Sequence, residues 1–246
     1  MPINTSPWIL LSRREQIQSR MRLFCFPYAG GGASIYQTWQ DMVPKEVLIC
    51  PIQLPGRQTR LMELPYARLA DLVAAIVVAD LFDSRPFALF GHSMGALIAF
   101  ELARELRRCG KPMPAALYIA ACCAPQHAGA IKQISDLPRD EFIDALARHT
   151  NMSPESFSNE ELIELMLPTL RADFSLCETY HYDEEEPLPI PIYVFGGIDD
   201  TDVTEEDLAG WRRQTCASFN LSMINGDHFL TETAREEFFL LMNVLL

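Results

Sequence analysis

The chain has 246 residues, 49% of them apolar, and a formal net charge of −13 from 33 acidic against 20 basic side chains. That length suits one large α/β domain with a sizeable core, and the acidity, without a Lys/Arg cluster, argues against nucleic acid as a partner. No apolar run approaches the roughly 20 residues that span a bilayer, no charged start followed by an apolar stretch marks a secretion signal, and seven cysteines without C-x-x-C or C-x-x-H spacing read as reduced, mostly core residues of a cytoplasmic protein.

Residues 1–20 are polar and irregular and read as a lead-in segment or tail. Met21–Phe26 reads as a buried strand running into Pro27-Tyr28-Ala29-Gly30-Gly31-Gly32, with a helical stretch after it through Tyr36 and Trp39. Neither the Walker spacing nor G-x-G-x-x-G is present, so the glycines are read as an oxyanion loop whose backbone approaches a substrate closely. Residues 47–52 form a second predicted strand, followed by Leu54-Pro55-Gly56-Arg57. Arg57 is read as bracing a loop, since one arginine does not make a phosphate site. Apolar residues at helical spacing over 69–82 predict a packing helix.

Residues 87–100 say most about function. An apolar run reaches Gly91, Gly91-His92-Ser93-Met94-Gly95 matches G-x-S-x-G, and a helix-forming segment follows. Strand, sharp turn and helix in that order are the context of a nucleophile elbow, which lifts the Ser93 hydroxyl clear of the sheet. Gly91 and Gly95 flank it because a side chain at either place would collide with a neighbouring strand or helix. The Met94 amide then lies at a helix N-terminus, where it stabilises a developing oxyanion.

After another predicted strand at 115–121 the strand–helix rhythm breaks. From about residue 129 to 182 only helical patches occur, Arg139–His149 and 159–174, the second kinked by Pro168 and richer in leucine, isoleucine and methionine than one buried stripe uses. This is read as a helical lid insertion within a single domain of residues 1–246. Asp183-Glu184-Glu185-Glu186 reads as a solvated loop, because four adjacent carboxylates lack the spacing of a hard-metal site; no metal is expected. A strand at 191–195 ends in Gly196-Gly197-Ile198-Asp199-Asp200, a helix is predicted over 205–215, and a last strand over Phe219–Ile224 leads to Gly226-Asp227-His228-Phe229-Leu230 and a closing helix.

A serine hydroxyl needs a base to take its proton and an acid to orient that base. Ser93, then an Asp past one strand end, then His228 past the next give the Ser…Asp…His order of α/β-hydrolases, and parallel strands open all three loops on one sheet edge. Asp199 and Asp200 compete for the acid, with Asp202 third; the distance from Gly196 favours Asp199, leaving its neighbour to cap the following loop. His92 lies inside the elbow and packs or hydrogen-bonds behind the serine, while His127, His149 and His181 are read as surface or lid. The fold class is therefore α/β: an α/β-hydrolase fold, mostly parallel sheet flanked by helices, with a helical insertion.

Phe26-Pro27-Tyr28-Ala29-Gly30-Gly31, Leu54-Pro55-Gly56-Arg57, Gly91-His92-Ser93-Met94-Gly95, Leu170-Arg171-Ala172-Asp173-Phe174, Gly196-Gly197-Ile198-Asp199-Asp200 and Gly226-Asp227-His228-Phe229-Leu230, taken in order, resemble the type II (external, editing) thioesterases of polyketide and nonribosomal peptide synthesis. Asp227 departs from the pattern, where many members carry a second glycine. The resemblance implies hydrolysis of acyl thioesters on the phosphopantetheine arm of an acyl or peptidyl carrier protein, through an acyl-enzyme on Ser93. Amides of Met94 and of Tyr28 or Ala29 would hold the oxyanion. It implies no cofactor beyond the arm the partner brings, and a monomer. Rival readings are a carboxylesterase or lipase on the same fold, a malonyl-type acyltransferase (which expects an early Gln-Gly and lacks the late Asp…His pair), and a noncatalytic binding protein.

Overall fold

The computed structural model describes residues 6–10, 19–130, 133–149 and 159–246. Strands β1 (Met21–Phe26), β2 (Val47–Pro51), β3 (Phe87–His92), β4 (Leu117–Ala120), β5 (Ile192–Gly197) and β6 (Phe219–Ile224) form one parallel sheet in the order β2-β1-β3-β4-β5-β6. Helices are α1 (Leu69–Val78), α2 (Met94–Arg108), α3 (Arg139–His149), α4 (Glu160–Glu178), α5 (Glu205–Ala209), α6 (Leu230–Thr233) and α7 (Arg235–Leu245).

The strand sequences explain the layers. Phe24, Phe26, Leu89 and Ile119 point to one face and pack against α1 and α2. Leu23, Cys25, Phe90 and Tyr118 alternate to the other face, where they meet Trp39 and the Phe238–Phe239 pair of α7. Near-continuous apolar strands are what a parallel sheet covered on both sides requires.

Several expectations are adjusted. The helix expected over 69–82 ends at Val78; that over 205–215 is α5 followed by a 3-10 turn from Gly210 to Gln214. The stretch after the glycine loop is two short 3-10 turns. Of the lead-in, residues 6–10 are described, and they are tied to the sheet edge: Ile9 bridges Ile52, and Trp8 is buried under the Arg60 guanidinium, 4.2 Å from its ring. Glu185 is no solvated loop residue. It accepts from Arg104, Arg107 and Arg108 of α2, which latches the loop before β5 onto that helix.

Between β4 and β5, α3 and α4 share a small core of their own, built on Phe142, Leu146, Ile163, Leu167 and Leu170. This satellite core takes up Ile163, Leu167 and Leu170 of α4, while Leu165 stays exposed. Asn159 caps that helix by accepting from the Leu162 amide at 3.1 Å, which leaves the helix running through Pro168 to Glu178. Residues 131–132 and 150–158 of the expected insertion lie outside the described residues.

Candidate active site

Ser93 follows β3 directly and precedes α2, with φ 53 and ψ −116. A non-glycine residue held at positive φ stores strain of order 1–3 kcal/mol, and the surroundings over-determine it. The Ser93 amide donates to the Ala120 carbonyl at 2.9 Å and its carbonyl accepts from Ala96 at 2.9 Å. A Cβ on Gly91 would stand 2.2 Å from the Gly95 carbonyl oxygen, and one on Gly95 would stand 2.1 Å from that of Phe26. Both glycines are thus required by close backbone approach, as the spacing predicts.

His228 sits in the loop after β6, its Nε2 3.1 Å from Ser93 Oγ. Its Nδ1 donates to Asp200 Oδ2 at 2.9 Å, so Nε2 is left as the acceptor facing the serine hydroxyl. The expectation for Asp199 is corrected here: Asp200 holds the imidazole, and Asp199 is exposed to solvent. The β5–β6 ladder explains why. It continues past the end of β5, with Ile198 donating to the Ile224 carbonyl at 2.8 Å and Asp199 to that of Gly226 at 2.9 Å. The chain turns inward one residue later than counting from Gly196 supposes. Nor is labour divided between the two carboxylates: Asp200 Oδ1 accepts from the amides of Asp202 and Val203 at 2.8 and 3.1 Å while Oδ2 faces His228. Burial works to raise the Asp200 carboxyl, but the hydrogen bond and charge of His228 and those two amides outweigh it and hold it below the usual carboxylate range.

Behind the elbow, His92 is fully buried. Its Nε2 donates to the His228 carbonyl at 2.7 Å, and a carbonyl only accepts, so Nδ1 is the acceptor for the Thr231 hydroxyl at 3.2 Å. Burial, then the neighbouring His228, pushes His92 down to about 3. It is a neutral strut between β3 and the histidine loop. His181 and His127 are both exposed, as expected, and His127 also borders the cavity. His149 has no described side chain.

Met94 opens α2, so its amide is among the four that lack a carbonyl partner inside the helix. Tyr28 and Ala29 follow β1 and share with Ser93, Met94 and His228 the wall of a cavity of about 340 Å³. The cavity continues past Leu97 and Cys123 to Ile134 and Phe174 of the inserted segment. The Tyr28 hydroxyl donates to Glu232 at 2.7 Å, and its ring stands 5.1 Å from those of His92 and Phe229.

Arg57 braces the glycine loop, as read from the sequence, with a partner that reading left unnamed. Its guanidinium grips Asp173 of α4 in a two-pronged pair, 2.7 Å at each prong, and donates to the Gly31 carbonyl at 2.9 Å. Both side chains are buried. Removing one member of such a pair costs about 3–5 kcal/mol, because the other is left charged and dry.

A parallel sheet in this order, with a strained serine on its elbow and an imidazole from the last strand's loop beside it, is that of an α/β-hydrolase. The chain belongs to the thioesterase family: the family model described as a thioesterase domain matches residues 21–241. It is 42% identical over 240 residues to the linear gramicidin dehydrogenase LgrE of Brevibacillus parabrevis, covering 96% of this chain and 90% of that protein. Among solved structures, the RedJ thioesterase from the prodiginine biosynthetic pathway of Streptomyces coelicolor superimposes with a TM-score of 0.86 at 34% identity, covering 93% of this chain and 91% of that one. YbtT, the type II thioesterase of the yersiniabactin NRPS/PKS pathway, gives 0.81 at 31% identity over 95% of both chains. The protein is a thioesterase of the type II kind. The first relative's name denotes a dehydrogenase, but this chain has no G-x-G-x-x-G after β1. No helix among the described residues is long and apolar enough to cross a membrane.

Proposed function

We propose that the protein hydrolyses acyl thioesters carried on the phosphopantetheine arm of acyl or peptidyl carrier proteins, working as a cytoplasmic editing or release enzyme with Ser93, His228 and Asp200 as its triad. The Ser93–His228–Asp200 line, opening on a cavity roofed in part by the insertion, is the observation that carries this reading. His228 Nε2 takes the Ser93 proton as Oγ attacks the thioester carbonyl. Amides of Met94 and of Tyr28 or Ala29 face the oxyanion, each such donor being worth about 3 kcal/mol. The tetrahedral adduct collapses, the carbon–sulfur bond breaks, and the leaving thiolate takes the proton from His228. Water, deprotonated by the same nitrogen, then attacks the acyl-enzyme and frees the acid and the serine. Asp200 keeps the imidazole in the required tautomer throughout. The α3–α4 segment serves as the lid, lining the acyl chamber with Phe174, and Ile134 just before α3 adds to that wall.

The test is a panel of acylated carrier domains set beside the same acyl groups as oxygen esters, with release followed by mass spectrometry. Faster turnover of the carrier thioesters, abolished in Ser93→Ala, supports the proposal. Preference for free oxygen esters would replace it with a carboxylesterase.

A further inference from the structure

The loop after β1 must present an amide to the oxyanion, yet it lies beyond the end of its strand, where the sheet gives it no ladder. Its support comes from α4. Asp173 Oδ2 accepts from the Gly30 amide at 2.8 Å, in the residue next to Ala29. The same oxygen and its partner Oδ1 hold Arg57, and Arg57 reaches over the turn to the Gly31 carbonyl. The turn is closed on itself by the Gly31 amide donating to the Tyr28 carbonyl at 2.9 Å. Gly30 has φ 78, and a Cβ there would stand 2.8 Å from Leu170 Cδ2, so this backbone fits directly against α4. One turn earlier in the helix, Thr169 donates to the Gly56 carbonyl at 2.5 Å, seating the loop that carries Arg57. The residue after Asp173 is Phe174, which lines the chamber.

We propose that Asp173, acting through the Gly30 amide and Arg57, is a positioning residue for the oxyanion hole, so that the inserted helix and not the sheet sets the aim of the Tyr28–Ala29 amides. This rests on the hydrolase reading above. A buried pair whose only task was to anchor α4 would have no need of the loop amide. Here the same carboxylate oxygen serves both the anchor and the turn. A shift of the order of an ångström in a catalytic donor lowers turnover up to about 10²-fold, and loss of a donor lowers it by about 10²–10³-fold.

The test uses Asp173→Asn, whose NH2 must set a donor either against Arg57 Nη2 or against the Gly30 amide and Arg57 Nη1, and Arg57→Lys, which keeps the cation but loses the fork. Two readouts are taken on the full chain. One is kcat and KM on a small acyl thioester, with active sites titrated. The other is the second-order rate at which a fluorophosphonate labels Ser93, which needs no knowledge of the natural substrate. Expected for Asp173→Asn is labelling to full stoichiometry, at a rate roughly 10- to 100-fold lower, with kcat lowered by a similar factor and KM within about twofold. Arg57→Lys should lower both rates about 3- to 10-fold, and it carries the test alone if Asp173→Asn does not fold. Rates per titrated site within twofold of the parent overturn the inference, as does a loss confined to stoichiometry or to KM. A parent enzyme that labels at Ser93 yet ignores every thioester would defeat the proposed function and leave the labelling arm to decide this point.

Discussion

The side chain of His92 holds the backbone of His228. The Nε2 hydrogen bond of 2.7 Å spans 136 residues of sequence and ties the elbow strand to the loop that delivers the base. This strut is held as neutral imidazole, because burial penalises a charged ring there. In an unfolded chain histidine titrates near 6.5, and in the fold His92 lies at about 3. Between those values the unfolded state binds the extra proton. The stability His92 provides is therefore complete above about pH 6.5 and is lost as pH falls toward 3, by about 1.4 kcal/mol per unit. The thermal midpoint of the parent should fall between pH 7 and pH 5 more steeply than that of His92→Gln, which keeps a donor for the His228 carbonyl but cannot titrate. Parallel slopes in the two proteins would show that His92 plays no part in acid sensitivity.

Asp200→Asn should lower kcat by about 10²–10⁴-fold, because the amide can present N–H toward His228 Nδ1 and favour the wrong tautomer. Asp199→Asn should leave kcat within about twofold, its side chain being in solvent and only its amide engaged, with Gly226. Steady-state rates on one acyl thioester, with active sites titrated, rank the pair. The reverse ranking would restore Asp199 as the acid.

These two aspartates also mark the limit of what local sequence conveys. The elbow was legible because its requirements are local: a strand, two glycines that admit close backbone contact, and a helix all fall within 14 residues. The position of His228 followed from strand count alone. The choice of acid did not, since it depends on how far the β5–β6 ladder runs past Gly197, a property of pairing between segments far apart in the chain. The Asx-type turn at Asp200, bonding the amides two and three residues on, is a signal that favours Asp200 once the neighbouring residues are weighed as turn formers. The Arg57–Asp173 pair was hidden for the same reason. Both residues lie in stretches that stand out, but 116 residues separate them, and nothing local shows that they meet.

The chamber's far wall offers a handle on acyl selectivity. Phe174 lines it, its ring packed edge-on to Phe142 of α3 at 6.1 Å. Phe174→Ala opens space there while the satellite core keeps Phe142, Leu146 and Leu167. Hydrophobic pockets discriminate one methylene by about 1–3 kcal/mol. The ratio of kcat/KM for an octanoyl thioester to that for an acetyl thioester should therefore rise at least tenfold in the variant. An unchanged ratio would place the acyl chain elsewhere.

Gly95 couples stability to catalysis at one point. A methyl group there would lie 2.1 Å from the Phe26 carbonyl oxygen and 2.8 Å from that of Pro27. Both contacts are backbone, so no side chain can swing aside, and α2 must move away from the end of β1. Overpacking of this kind costs about 1–3 kcal/mol or more. The displaced helix also carries the Met94 amide with it, whereas the loop bearing Tyr28 and Ala29 stays pinned by Asp173 and Arg57. Gly95→Ala should thus lower both the midpoint of denaturant unfolding and kcat per titrated site, the latter by tenfold or more. Gly110→Ala is the control: it sits at φ 62 with no atom near its Cβ position, so it should cost about 1 kcal/mol of backbone strain and leave kcat unchanged. Equal effects of the two substitutions on kcat would show that the Gly95 contact does not aim the oxyanion donors.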